Sequence, residues 1–138
     1  MSRGPLDLVV VEFPGDLPGG QLAPKIARLV EQGTIRMIDV AFVRKDADGS
    51  VETFELTERE GNAEYEAFDS IVQAVDGLIA DDDLLAIAEE LTPGTTAGVL
   101  LWENLWAADL RQSVLDAGGR VVLAERIPAP VVEAVEAA

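Results

Sequence analysis

Two apolar segments constrain the fold of this chain more than any other feature. Residues 6–13 (LDLVVVEF) and 97–103 (AGVLLWE) carry apolar side chains at odd and even positions alike. A run of this kind is typical of a strand that is covered on both faces in the middle of a sheet. Pro14 and Gly15 end the first segment abruptly. We therefore predict that the two segments pair, in opposite directions, at the centre of one α/β sheet.

The other elements are predicted from hydrophobic periodicity and turn residues. A helical pattern starts at Leu22 with Pro24 in its first turn and ends at Gly33. Residues 34–43 and 51–57 are predicted to form a hairpin of two strands. The remaining predicted elements are a helix over residues 62–80, a second helix capped by Asp81, Asp82 and Asp83, a helix over 104–117, a strand over 120–127 and a short helix or tail over 128–138.

Right-handed crossovers arrange these elements as two split β-α-β units. Strands one and two run parallel with strand four between them, and strands four and five run parallel with strand one between them. The predicted fold is thus a ferredoxin-like α/β sandwich with five strands in the order 5-1-4-2-3 and an additional helical segment before strand four. We expect residues 1–127 to form this single domain and residues 128–138 to form its tail.

The apolar first strand also predicts self-association. Leu8 and Val10 point to one face of the sheet, Val9 and Val11 to the other, and neither pair is suited to water. Helices beginning at Leu22 and Asn104 are expected to cover one face. The helices between residues 63 and 91, or a second copy of the protein, must cover the other. We therefore expect a homo-oligomer, with a dimer as the simplest form.

Charge and missing residue types exclude several functions. The 138 residues include 26 Asp and Glu against 10 Lys and Arg, a net charge of −16, which repels phosphate backbones and anionic membranes. The chain has no Cys and no His, so thiol nucleophiles and the commonest general base and metal ligand are missing. No apolar run reaches the roughly 18 to 20 residues of a membrane span. We predict a soluble cytoplasmic protein without a cofactor, a metal or a nucleic-acid partner.

Several segments resemble a known family. They are residues 10–15 (VVEFPG), 33–36 (GTIR) leading to 40–49 (VAFVRKDADG), and 91–94 (LTPG) leading into 99–103 (VLLWE). In these segments the chain resembles a bacterial family catalogued as a domain of unknown function. It is more distantly similar to small uncharacterised proteins described as membrane-associated, which carry a Gly-rich apolar hairpin where this chain has the acidic residues 61–83. The resemblance implies the ferredoxin-like architecture and supplies no catalytic residue.

Glu12 and Glu103 suggest a carboxylate pair for acid and base chemistry. In the predicted antiparallel pairing, however, they lie at far ends of the two strands, about 20 Å apart at roughly 3.3 Å per residue. We expect solvated carboxylates instead, each with its own neighbours: Arg36 and Glu125 for Glu103, and Arg44 and Lys45 for Glu12.

Three polar segments each have a functional and a structural interpretation. Residues 14–20 suggest an anion-binding loop, but Asp16 would repel a phosphate and a connecting loop is favoured. Residues 46–49 (DADG) match part of a calcium loop, but the flanking strands favour a hairpin turn. The three aspartates at 81–83 suggest a cation site, but helix capping and dipole compensation explain them better.

Trp102, Trp106 and Tyr65 are the candidate residues for an apolar pocket or an interface. We expect Trp106 to be the more exposed of the two indoles and the better anchor. The tail carries Val131, Val132 and Val135 and is a further candidate for docking onto a partner, with packing on its own domain or disorder as the alternatives.

These observations favour a non-catalytic acidic module that self-associates and serves as an accessory or protein-interaction domain. Two alternatives stay open. One is a regulatory or sensor domain that binds a small apolar ligand near the tryptophans. The other is an enzyme that uses carboxylates alone or with magnesium.

Overall fold

The computed structural model describes residues 4–16, 22–54 and 79–137. Most of the predicted helix at 62–80, the end of the third predicted strand and Tyr65 lie outside these ranges. The described elements are β1 (Leu6–Pro14), α1 (Ala23–Glu31), β2 (Ile35–Lys45), β3 (Val51–Phe54), α2 (Asp81–Glu90), β4 (Thr95–Asn104), α3 (Leu105–Asp116) and α4 (Ala129–Glu136).

The described strands form one antiparallel sheet in the order β1-β4-β2-β3. Leu6 pairs with Glu103 and Pro14 pairs with Thr95, so β1 and β4 run in opposite directions along their whole length. The predicted pairing of the two apolar segments is therefore confirmed. The hairpin is confirmed as well, since β2 and β3 are antiparallel neighbours.

The prediction of five strands in the order 5-1-4-2-3 is wrong. Residues 119–128 form neither a helix nor a strand, and their side chains are exposed, with Val122 at 78% and Leu123 at 75%. Whether a segment forms a strand depends more on pairing with a neighbouring strand and on packing than on its own residues. In the described structure this segment pairs with no strand and its side chains are not packed. As a result, β1 lies at an edge of the described sheet and not in its middle.

Each face of the sheet packs against one helix. Ile26 of α1 packs with Phe42 and Leu100 on one face. Leu84 of α2 packs with Val43 and Val99 on the other. Both clusters lie on β2 and β4, which are therefore the strands covered on both sides.

Local chemistry predicts the end of α1 correctly and the start of α2 incorrectly. Gly33 has a φ of 73° just after α1, the left-handed conformation that glycine adopts without strain, as predicted. The prediction that aspartates cap α2 is wrong. Its N-cap is Ala80, whose carbonyl accepts hydrogen bonds from the backbone N–H groups of Asp83 and Leu84. The three aspartates occupy the first turn, where their charge opposes the positive end of the helix dipole.

The C-terminal part of the chain packs less tightly than the rest. Neither α3 nor α4 contains a fully buried residue. In α3 the predicted inward residues Leu105, Ala108 and Val114 are half-buried, whereas Leu115 is exposed. Among the described residues, no helix is both long enough and apolar enough to cross a membrane.

Candidate functional site

The outer edge of β1 is the most prominent unpartnered feature of the described sheet. The strand is nine residues long and pairs on one side with β4. Leu6, Leu8 and Val10 are exposed along it. They lie on the face of the sheet that also carries Val99, because Val10 and Val99 are register partners. A long apolar edge strand is a template on which another strand can pair through its main-chain groups.

A carboxylate lies near each end of this edge. Asp7 Oδ2 accepts hydrogen bonds from Asn104 Nδ2 at 2.8 Å and from Arg126 Nη2 at 2.5 Å. At the other end, the carboxylate of Glu12 accepts hydrogen bonds from the backbone N–H and the hydroxyl of Thr92, both at 3.2 Å.

Glu12 lies at the same end of the sheet as Arg44 and Lys45, as predicted, but its carboxylate binds Thr92 and neither of these two basic side chains. Glu12 is the register partner of Ala97, whereas Arg44 is the partner of Thr96, so Glu12 and Arg44 point to opposite faces of the sheet. Arg44 instead binds Asp46 Oδ1, the carbonyl of Gly15 and the hydroxyl of Thr96. Lys45 Nζ donates to the carbonyl of Ala88, near the end of α2.

Glu103 is a buried carboxylate at the opposite end of β4. Arg36 donates to its Oε1 from Nε at 3.0 Å and from Nη2 at 2.8 Å, and the backbone N–H of Gly4 donates to Oε2 at 2.7 Å. The predicted Arg36 partner is thus confirmed, while Glu125 lies in the exposed segment 119–128. Because Glu103 pairs with Leu6 and Glu12 pairs with Ala97, six residues of strand separate the two carboxylates, about 20 Å. Glu12 and Glu103 do not form a catalytic pair.

The hairpin turn at residues 46–49 is confirmed. The N–H of Asp46 donates to the Ser50 carbonyl at 2.8 Å, and the N–H of Gly49 donates to the Asp46 carbonyl at 2.9 Å. Asp48 Oδ1 accepts from the Ser50 hydroxyl at 2.6 Å and from the Ser50 N–H at 2.9 Å. These two bonds lower the pKa of Asp48 below its ordinary value of 3.8.

The other polar candidates give no site among the described residues. In the part of the loop at 14–20 that the structure describes, the N–H of Gly15 is occupied by the carbonyl of Gly94 at 2.9 Å. Asp81, Asp82 and Asp83 are exposed on α2. Over residues 4–16, 22–54 and 79–137, no group of three or more acidic side chains is arranged to hold a metal ion.

The two tryptophans lie on either side of the junction between β4 and α3. Trp102 is half-buried and packs against the cluster beneath α1. Trp106 is 53% exposed in the first turn of α3, where its backbone N–H donates to the Thr34 carbonyl. Tyr65, the third predicted residue, lies outside the described part of the chain. A role for these residues in a pocket or an interface stays a prediction.

Sequence reasoning missed two carboxylates. Asp39 is buried beside a β-bulge in β2, and its two oxygens accept hydrogen bonds from the backbone N–H groups of Val40 at 2.9 Å and Ile79 at 3.1 Å. A single acid within an apolar strand was the available signal for Asp39. For Asp7 there was no local signal, because its partner Arg126 is 119 positions away.

Comparisons with known proteins agree with the sequence resemblance. Searches of curated proteins and of solved structures found no match to this chain. One family model, described as a family of unknown function (DUF6325), matches residues 2–138 and thus nearly the whole sequence. The chain therefore belongs to DUF6325, a family of unknown function.

Proposed function

We propose that the protein is a non-catalytic acidic module of the cytoplasm that self-associates as a dimer and acts as an accessory or interaction domain. The observation that carries this proposal is the outer edge of β1. Nine residues of strand with an apolar row at Leu6, Leu8 and Val10 end the described sheet without a further strand. Exposed edges of this length and polarity associate readily with other strands.

The distribution of side chains supports a binding role over a catalytic one. The chain has no His and no Cys, and the carboxylates of Glu12 and Glu103 are about 20 Å apart in the β1–β4 register. Glu103 is held by Arg36 and Gly4, and Glu12 is held by Thr92. These carboxylates of β1 and β4 are thus engaged in contacts within the fold. The groups that the outer edge of β1 offers to a partner are its main-chain N–H and C=O groups.

Charge sets the conditions under which copies associate. With a net charge of −16, two copies repel each other over a Debye length of about 10 Å at roughly 0.1 M salt. We expect added salt to screen this repulsion and to tighten the dimer, because apolar contact and main-chain hydrogen bonds depend much less on salt than surface charge does.

Two matched valines provide the test. Val10 on β1 and Val51 on β3 are both 39% exposed and lie on the two opposite edge strands of the described sheet. In light scattering at micromolar concentration, we expect the unmodified protein to have the mass of two copies. Val10→Lys places a charge in the proposed interface and should raise the dissociation constant at least tenfold, whereas Val51→Lys should leave it unchanged.

Circular dichroism and urea unfolding of both variants are the measurements that check whether they fold. A monomeric unmodified protein would overturn the proposal. So would equal effects of the two lysine substitutions, because the interface would then not lie at β1.

A further inference from the structure

We infer that the partner of the β1 edge is the C-terminal arm of a second copy, exchanged reciprocally between two chains. The arm is defined here as residues 120–137, namely the extended segment that follows α3 together with α4. This inference rests on the proposed dimer and specifies how it forms. In each half of the dimer, residues 120–127 of one chain add a strand outside β1 of the other.

The composition and exposure of the arm fit a strand that lacks its sheet. Residues 120–127 read RVVLAERI, a sequence rich in β-branched and apolar residues. In the single copy, Val121, Val122, Leu123 and Ile127 are all exposed. Leaving side chains of this kind in water forgoes the favourable transfer energy of their burial. The described part of the chain thus contains both a strand-forming segment outside any sheet and a sheet edge without a further strand.

A charge of the arm matches a charge of the edge. Within the single copy, Arg126 of the arm contacts Asp7 Oδ2 of β1 at 2.5 Å. If the arm of the second copy runs antiparallel to β1 with Arg126 opposite Asp7, the same ion pair forms between the two chains. Arg120 then comes opposite Phe13 and points to the face away from Glu12. Opposite charges across a strand pair stabilise the pairing.

The occupant is a second copy because, within one chain, the apolar surfaces of the arm and of α3 do not cover each other. Val131, Val132 and Val135 of α4 are exposed, and so are Leu110 and Trp106 of α3. The same surfaces of a second copy are then available to cover them.

The size of the exchanged contact is that of a stable interface. The arm strand, α4 and β1 contribute about 25 residues per copy, within the roughly 20 to 30 residues a side of standard protein interfaces. In a reciprocal exchange each chain adds its arm to the β1 edge of the other chain. Both edges then gain a strand in the same way, as two-fold symmetry requires.

The joint between α3 and the arm permits this exchange. Gly118 has a φ of 84°, and the N–H groups of Gly118 and Gly119 bond back to the carbonyls of Leu115 and Val114. This glycine cap ends α3 at a defined point. The arm beyond the cap is not part of the helix, so the strand with which it pairs can set its direction.

Engineered cysteines test the exchange in the full chain, because the protein has no cysteine of its own. Asp7→Cys and Arg126→Cys variants are co-expressed with different affinity tags and oxidised mildly. In the exchanged dimer, cross-strand neighbours lie close enough for a disulfide, so we expect a covalent product that contains both tags. The matched control replaces Asp7→Cys by Ala47→Cys in the exposed hairpin turn and should give no mixed product.

Each other outcome is decisive. A double variant D7C/R126C that cross-links within one chain, with no mixed product from the single variants, would overturn the exchange in favour of intrachain pairing. Cross-linking of Asp7→Cys with itself, or a dimer that gives no cross-link in any combination, would overturn it and leave the proposed dimer standing. A monomer in light scattering would remove the exchange and the proposed function together.

Discussion

Arg36 and Glu103 form a two-pronged ion pair in which only one partner is buried. Two guanidinium nitrogens of Arg36 lie 3.0 and 2.8 Å from Glu103 Oε1, yet the Arg36 side chain is 45% exposed and that of Glu103 is 7% exposed. The second carboxylate oxygen accepts the N–H of Gly4. Glu103 therefore joins β2, β4 and the residues that lead into β1.

Loss of Arg36 should destabilise the fold. Arg36→Met leaves the buried carboxylate without its counter-charge. We expect the free energy of unfolding to fall by about 2 kcal/mol, which is less than the roughly 3 to 5 kcal/mol for breaking a fully buried pair because Arg36 is partly exposed. Urea unfolding measures the change. Arg28→Met on the exposed side of α1 is the matched control, with an expected change within about 0.5 kcal/mol. Equal losses in the two variants would contradict a stabilising role of the pair.

Two glycines should respond to alanine in opposite directions. A Cβ on Gly98 would meet Val11 Cγ2 at 3.7 Å and Phe42 Cε1 at 3.8 Å, which is ordinary contact. We expect Gly98→Ala to raise the free energy of unfolding by about 0.5 kcal/mol, because alanine reduces the freedom of the unfolded chain.

A Cβ on Gly4, in contrast, would lie 2.2 Å from the Asn104 carbonyl oxygen. The backbone must then shift and weaken the hydrogen bond from Gly4 to Glu103, so we expect Gly4→Ala to cost about 1 to 2 kcal/mol. Thermal or urea unfolding of both variants tests these two predictions. A less stable Gly98→Ala together with an unchanged Gly4→Ala would contradict them.

The hydroxyl of Thr96 should contribute measurably to stability. Thr96 is fully buried, donates to the Gly15 carbonyl at 2.5 Å and accepts from Arg44 Nη1 at 3.0 Å. Thr96→Val keeps the shape and removes both bonds, for an expected loss of about 1 kcal/mol in urea unfolding. Thr53→Val on the exposed part of β3 is the control and should change stability little. The assignment fails if the two variants lose the same amount.

Asp48 should titrate at unusually low pH. The hydroxyl and the N–H of Ser50 hold the pKa of this carboxyl below 3.8 in the folded chain. The contact therefore stabilises the fold fully above pH 3.8, and its contribution is lost as the pH falls through the lowered folded pKa. An NMR titration of the Asp48 carboxyl should give a midpoint below 3.8. Ser50→Ala should raise the midpoint and Ser50→Thr should keep it low. A midpoint that is the same in all three proteins would exclude the hydroxyl as the cause.

What could be predicted from the sequence was governed by local chemistry. The pattern of apolar residues at 6–13 and 97–103 identified the paired strands, and Gly33 marked the end of α1. The aspartates at the start of α2 illustrate the limit of such patterns. Their position was predicted correctly, but the cap itself is the extended backbone of Ala80.

Long-range contacts decided the rest. The apolar residues at 120–127 have the composition of a strand, yet a strand needs a ladder partner, and in the described sheet β1 pairs with β4 alone. The contacts of two carboxylates could not be predicted for the same reason. Asp39 binds Ile79, 40 positions away, and Asp7 binds Arg126, so neither contact follows from spacing along the chain.

For the interface that we propose at the outer edge of β1, the chemistry of this edge also sets which strands it can distinguish from one another. Peptide N–H and C=O groups are the same in every extended polypeptide, so they supply affinity without identity. In the proposed pairing, selectivity comes from the side chains of the edge: the negative charge of Asp7 favours a strand with a cationic residue opposite it, as Arg126 is in the arm, and disfavours an acidic residue there.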